Sequence, residues 1–526
     1  MALIKLSAEN FIDQIVDYGY FSEQIPTCFN TKSLLINLSS ILPLIKCDNN
    51  EKKAKNTTTA PVTLSTYKND ISRRVLSFPN PHAFLRLVKL MAENWNEIKE
   101  AAESKNSLSP ITYVHSYQDV GQELLNSEKV RDINRSKSDF LDGLRKCIRI
   151  SLGYKFQLKL DISNCYASIY SHSIAWAMCG KEKAKQYLRT KEPSSLKQKY
   201  ELADRLDTFT RFQKNNETNG IVIGPFTSRI FSEIVFSELD RLLTKKGYHF
   251  RRYVDDYKFY FRSEAQAQES IPIIERILNE YNLNLNTEKS EISRYPYETI
   301  SPMRHSLEEA LKRGKVLEAL NTASRFHAQG EVGAYKYVLK LIKEHDIPAD
   351  DTEEVISILI NILLVDPKYG KYIVPYLNRN LKKYDIETLS NIFNQELSSS
   401  LKNELQEESL LFIYIIRQLK LNLSPENLTN IILGNNDFSI IIALDLWKNR
   451  NKSIKRSKAE ATKINKSIET LASLLKGEEY NGSRWLLLYE IRRHKLIPES
   501  IIPKPKQDAF FEKLMDEEIT FYQSIK

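Results

Sequence analysis

Paired cysteines are what this 526-residue sequence most plainly lacks. Its five cysteines, Cys28, Cys47, Cys147, Cys165 and Cys179, are odd in number, widely spread and without ligand-type spacing. That argues against a disulfide framework and a cysteine zinc site, and suggests free thiols in a reducing cytoplasm. No uninterrupted apolar run is long enough to span a bilayer, and Met1-Ala2-Leu3-Ile4-Lys5 lacks a signal-peptide layout, so no membrane association is expected. Nor does one sign of charge dominate. A net charge of +9 is modest for this length and permits a nucleic-acid partner without requiring one. What is present is the composition of a soluble globular protein, 42% apolar and 27% charged. The length exceeds one ordinary core, so two or more domains are expected.

The most informative stretch is Phe250-Arg251-Arg252-Tyr253-Val254-Asp255-Asp256-Tyr257-Lys258-Phe259-Tyr260-Phe261. Strand formers without Gly or Pro surround an acidic pair, which predicts a hairpin with Asp255 and Asp256 at its tip. Two carboxylates in an apolar hairpin are costly unless a cation neutralises them, and a hard divalent ion with oxygen ligands would do so. Asp-Asp is also ordinary composition for an exposed turn. A third carboxylate shifts the balance. Gln157-Leu158-Lys159-Leu160-Asp161-Ile162-Ser163-Asn164-Cys165-Tyr166 reads as a buried strand ending at Asp161, then a turn into a helix around 167–178. Asp161 would face the hairpin from a neighbouring strand, or else serve as a helix N-cap.

Together the two segments resemble the palm of reverse transcriptases. Tyr253-Val254-Asp255-Asp256 has the Tyr-x-Asp-Asp form of that family's third motif, and Asp161-x-x-x-x-Tyr166 the form of its first, in the right order. The glycine-rich Asn219-Gly220-Ile221-Val222-Ile223-Gly224-Pro225 leads into a helix through Glu238 and matches the second motif. There, Gly224 would let backbone approach the nucleotide. Common reverse transcriptases read Pro-Gln-Gly at this point; here the apolar Ile223 replaces the amide that sits over the nascent base pair. Leu283-Asn284-Leu285-Asn286-Thr287-Glu288-Lys289 looks like the fourth motif, making Lys289 a candidate to protonate departing pyrophosphate, with a surface lysine as the alternative. Arg73 and Arg74 precede Pro79, Pro81 and a helix over 82–101, as in the fingers of these polymerases. Either guanidinium would match triphosphate oxygens, or simply decorate a basic turn.

The resemblance implies that Asp161 and Asp255, assisted by Asp256, hold two Mg²⁺ ions (Mn²⁺ as a substitute) acting on the attacking and leaving oxygens. It places Tyr166 under the sugar, where its ring would reject a 2′-hydroxyl, so that the substrates are dNTPs. More narrowly, Tyr170-Ser171-His172-Ser173-Ile174-Ala175-Trp176 followed by Gly180-Lys181 is similar to the abortive-infection (Abi) reverse transcriptases of bacterial phage defence. Over roughly residues 15–300 that likeness implies untemplated polymerisation and a homo-oligomer. It also implies a single-stranded DNA product attached to a protein hydroxyl, with Tyr18, Tyr20 and Tyr67 as possible primers. A template-copying enzyme of retron or group II intron type is the alternative. His172 has no second His or Cys at ligand spacing and reads as structural.

From about residue 301 strand-like runs vanish. Helices over 306–328, 333–344, 351–364 and 386–393 are predicted, punctuated by Ile347-Pro348, Asp366-Pro367, Ser424-Pro425 and Ile497-Pro498. The expected fold is therefore α+β, reverse-transcriptase fingers and palm over 1–300, followed by an all-α helical-repeat (HEAT-like solenoid) domain over 301–526. No strict repeat period is visible. Between Asp48 and Ala60 the chain is too polar to order, which predicts a surface loop. The basic run from Lys448 to Lys458 could track a DNA product or be a solvated face.

Overall fold

The computed structural model describes residues 2–47, 58–68, 72–116, 135–297, 302–342, 351–380, 385–449 and 456–525. Most of the polar 48–60 stretch, the Ile347-Pro348 break and residues 450–455 of the basic run lie outside the described residues.

Among the described residues, eight strands form three sheets. β1 (Ala2–Lys5) pairs with β4 (Tyr113–Ser116), and β2 (Val62–Tyr67) with β3 (Arg73–Phe78), both antiparallel. The third sheet has the order β6 (Phe250–Tyr253), β7 (Asp256–Phe261), β5 (Phe156–Ser163), β8 (Asn284–Arg294), every pair antiparallel. Its central strand shows why Asp161 ends up where it does. Leu158, Leu160 and Ile162 are buried on one face, so the period-two alternation puts Lys159, Asp161 and Ser163 on the other.

Beneath the sheet runs the Phe226–Lys245 helix, buried over most of its circumference, with Ile230, Phe231, Ile234, Val235, Phe236, Leu239 and Leu243 all enclosed. A helix of that character must sit inside a core. Beyond residue 302 every regular element among the described residues is helical. Successive helices pack against the next and the next but one: Ile386–Lys402 touches Gln406–Gln418 and Pro425–Ile432, which in turn touch Asp437–Lys448. The two regions share one hydrophobic cluster. Phe438 packs edge-on against Phe29 at 4.9 Å and Phe78 at 5.2 Å between centroids, and the carboxy-terminal Tyr522 packs on Phe29.

Several sequence expectations need correcting. The helix expected over 82–101 is two, Pro81–Glu93 and Trp95–Ala102, because Asn94 leaves helical geometry and its side chain caps the Leu90 carbonyl. The helix expected over 306–328 is likewise split, Met303–Lys312 and Val316–Ala328, at Gly314 with φ of 72°. After Asp161 the chain makes a short turn of helix, Cys165–Ser168, and the helix proper is Ser173–Cys179. Asn164, at φ 45°, makes the break. The helix expected over 386–393 runs on to Lys402.

Candidate nucleotidyl-transfer site

The predicted hairpin forms. β6 and β7 pair from Phe250↔Phe259 to Tyr253↔Asp256, and Val254, at φ 57°, turns the chain at the tip. A β-branched residue in left-handed geometry is strained and needs outside support. Arg252 supplies it. Its guanidinium is wholly buried and donates to the Val254 carbonyl at 2.7 Å, to Asp240 at 2.8 Å and to Glu233 at 2.8 Å and 2.9 Å. The Tyr257 hydroxyl donates to Asp240 as well, and Arg229 pairs with Glu233 at 2.9 Å. Burial alone would make Arg252 easier to deprotonate; Asp240 and Glu233 reverse this and hold it firmly charged. Two cations and two anions thus balance beneath the acidic turn.

Across the sheet, Leu160 pairs with Tyr257, so one residue further along Asp161 lies beside Asp256. The two side chains hydrogen-bond to each other. Asp161 Oδ2 also accepts from Asn286 Nδ2 at 2.8 Å, and Lys289 Nζ stands 3.9 Å away. Burial, then the Asp255 and Asp161 charges, push the Asp256 carboxyl up to about 6. Burial and Asp161 raise Asp255 too, against Arg229 and Arg74, whose charges favour its ionised form. Acids this close resist ionising together, and a cation between them would relieve that cost. The donor chemistry, all carboxylate oxygen, suits a hard divalent ion. Among the described residues no three acidic, thiol or imidazole groups form ready-made coordination geometry.

A raised carboxyl pKa means the folded state binds protons more readily than the unfolded chain, so stability falls as pH rises from the ordinary carboxylate range through 6. Replacing Asp256 with Asn is therefore expected to raise the melting temperature at pH 7.5, with the gain fading by pH 4. Thermal unfolding across that pH range, without divalent ions, measures it.

The Asn219–Gly224 segment is laid directly on the turn after Asp161. Ile221 N–H donates to the Tyr166 carbonyl at 2.9 Å and Gly220 N–H to the Ile169 carbonyl at 3.0 Å. A Cβ on Gly220, at φ 75°, would stand 2.9 Å from the Ala167 carbonyl oxygen. Gly220→Ala is expected to cost about 1–3 kcal/mol, read by chemical denaturation. Ser77 N–H donates to the Ile223 carbonyl at 2.7 Å, which ties β3 to the same segment, and Gly224, at φ 143°, leaves only 3.2 Å between a Cβ and the Ser77 oxygen. Ile223 itself packs against the core. Tyr166 is half-buried, and burial raises its hydroxyl pKa against the opposing charge of Arg229.

The adjacent arginines part company. Arg73 forms a two-pronged pair with Glu408 at 2.6 Å and 3.1 Å, and also donates to Ser65. Arg74 is exposed, with its charge felt at Asp255. Lys68, which the sequence reading passed over, reaches Asn164 Oδ1 at 3.2 Å from the same β2–β3 unit. Of the three tyrosines named as primers, Tyr20 is wholly buried with its hydroxyl on the Pro79 carbonyl, and Tyr18 is buried; Tyr67 is 53% exposed. His172 Nδ1 lies 2.7 Å from the buried Asp207. Sequence reasoning missed Arg252, Glu233 and Asp240. Two acids seven residues apart, on one face of the Phe226–Lys245 helix beside its large apolar residues, were the available signal.

An acidic hairpin tip beside a central-strand aspartate, over a helix-backed antiparallel sheet, defines a palm of the nucleotidyl-transfer type. Residues 102–320 match the family model for reverse transcriptase (RNA-dependent DNA polymerase). Residues 102–320 therefore carry a domain of the reverse transcriptase type. No curated protein sequence matches significantly. Similar solved structures include a C-terminally truncated apo telomerase from Candida tropicalis (13% identity, TM-score 0.29, covering 51% of this chain and 56% of that one). Another is telomerase from Candida albicans in complex with a fragment of telomeric RNA (13% identity, TM-score 0.28, covering 70% and 67%). The apo telomerase from Candida tropicalis has 13% identity and a TM-score of 0.29, covering 84% and 76%. The chain thus spans little more than half of the first of these, and scores this low carry no weight for function.

Proposed function

We propose that this protein is a nucleotidyltransferase that polymerises dNTPs without a template, primes on a hydroxyl of its own chain and acts in antiphage defence, like the Abi reverse transcriptases it resembles. The observation that carries the reading is Ile223. Its side chain is turned to core packing and its carbonyl is held by Ser77, so no amide stands ready to check a templating base. In this reading Asp161, Asp255 and Asp256 hold two Mg²⁺, or Mn²⁺. When bound, the ions would activate the attacking oxygen and offset charge on the leaving pyrophosphate. Arg74 and Lys68 grip the triphosphate from β2–β3, while Arg73 instead braces that unit against Glu408. Lys289 is placed beside Asp161 to donate a proton to the leaving group. Tyr166 discriminates against a 2′-hydroxyl, and Gly224 lets the backbone approach the nucleotide. The helices beyond residue 301 form a HEAT-like stack, the protein is a cytoplasmic homo-oligomer, and the single-stranded DNA stays attached to it.

The test is incubation of nuclease-treated protein with labelled dNTPs and Mg²⁺ but no nucleic acid, followed by mass mapping of the labelled peptide. DNA covalently bound to protein is the expected product. Strict dependence on added RNA would overturn the proposal in favour of a template-copying enzyme of retron or intron type.

A further inference from the structure

Away from the acidic hairpin, a cavity of about 250 Å³ opens between Glu23–Thr27, the end of β2 and the helices beyond residue 334. Its chemistry is lopsided. Glu23 accepts from Lys371 at 2.7 Å and pairs with Lys336 at 2.9 Å, two ammonium groups on one carboxylate. Lys340, one helical turn beyond Lys336, stands in the same field, and Lys368 completes the group while pairing with Asp366. Burial, and then like charge from Lys336 and Arg304, hold the Lys340 ammonium below the ordinary lysine range. Burial also lowers Lys371, with Lys336 and Lys340 adding to the effect against Glu23. The carboxylate on the far wall gives little help. Burial pushes Glu407 up to about 7, so at neutral pH it is only partly ionised, and its oxygen is taken by the Tyr67 backbone N–H at 2.7 Å.

Three lysines, Lys336, Lys368 and Lys371, line the cavity with Lys340 behind them, and among partly buried ammonium groups like charges repel and hydration is lost. Aromatic rings complete the wall: Tyr67, Tyr369, Tyr372 and Tyr414. We infer that this cavity is a second phosphate-binding site, in which Lys336, Lys368 and Lys371 take the phosphates of a nucleotide and the tyrosine rings take its base or sugar. Lysine suits phosphate as a mobile point charge, and π-faces suit any base. The volume is at the small end for ligand pockets and fits a di- or triphosphate with the nucleoside partly outside. Because Tyr67 ends the strand paired with Arg73 and Arg74, an occupant would bear on the unit that faces Asp255. The inference does not depend on whether synthesis is templated.

The phosphates could belong to a free nucleotide or to a DNA strand, and calorimetry on the full chain in EDTA separates these. Inorganic tripolyphosphate is titrated first, then an eight-residue oligo(dT) in competition with it. Tripolyphosphate is expected to bind the wild type, at least tenfold more weakly to Lys336→Gln/Lys371→Gln, and with unchanged affinity to Arg74→Ala. Glu23→Gln, which removes the competing carboxylate, is expected to tighten binding several-fold. That opposite sign keeps the test decisive even if the double variant folds poorly. Competition by oligo(dT) identifies a strand as the natural source, and absence of competition a free nucleotide; both support the site. No binding to the wild type, unchanged binding to the lysine variant, or loss only in Arg74→Ala would overturn it.

Discussion

Arg252→Ala is expected to destabilise the protein by about 3–5 kcal/mol, among the largest losses available to a single substitution here. The guanidinium is entirely buried, and its removal leaves Glu233 and Asp240 as buried anions with one remaining arginine, Arg229, at their edge. The energetic reason is asymmetry. A complete buried ion network is close to neutral against an apolar replacement, whereas a broken one strands charge in a poor dielectric. Arg252→Lys is expected to rescue little, because one ammonium cannot span two carboxylates and the Val254 carbonyl together. Urea unfolding followed by circular dichroism reads both variants. A loss under about 1 kcal/mol for Arg252→Ala would show that the network carries no net stability, against the general cost of an unpaired buried charge.

Asp161→Asn is expected to do the reverse: nucleotide incorporation falls to background while the fold holds or gains stability. Asparagine keeps the shape of the side chain and a carbonyl oxygen for the Asn286 amide. What it removes is one of the charges that keep Asp255 and Asp256 from ionising. With that charge gone, Asp256 should titrate closer to an ordinary carboxylate. Groups arranged for chemistry at the expense of stability behave in this way, and a purely structural aspartate would not. Incorporation assays beside thermal melts at pH 7.5 distinguish the two. Retained activity, or a melting temperature that drops several degrees, would contradict the assignment.

Much of the acidic site was readable in the sequence because it is encoded locally. The run from Phe250 to Phe261 has no Gly or Pro and alternates strand formers about one turn, so both hairpin and tip follow from it. Leu158, Leu160 and Ile162 likewise announce a strand with Asp161 on its opposite face. Arg252 was not legible. A charge flanking an acidic motif reads as solvated or ligand-directed, and only the assembled fold shows it enclosed by residues 12 and 19 positions earlier in the chain. Arg73 and Arg74 looked equivalent, although neighbours on a strand face opposite ways; that rule alone would have separated them. The partner that claims Arg73 could not have been foreseen, since Glu408 lies 335 residues away. The apolar pattern located helices well but overran their breaks, at Asn94 ahead of the palm and at Gly314 in the helical region. Periodicity survives a one-residue interruption that the backbone does not.

The account rests on carboxylates from separate strands forming one acidic centre that a divalent cation completes. The direct measurement is thermal unfolding at pH 7.5 over a Mg²⁺ titration, for the wild type and for Asp255→Asn/Asp256→Asn. The wild type should be stabilised in a saturable way and the double variant should show no such shift. Equal stabilisation of both proteins, or none of the wild type, would contradict it.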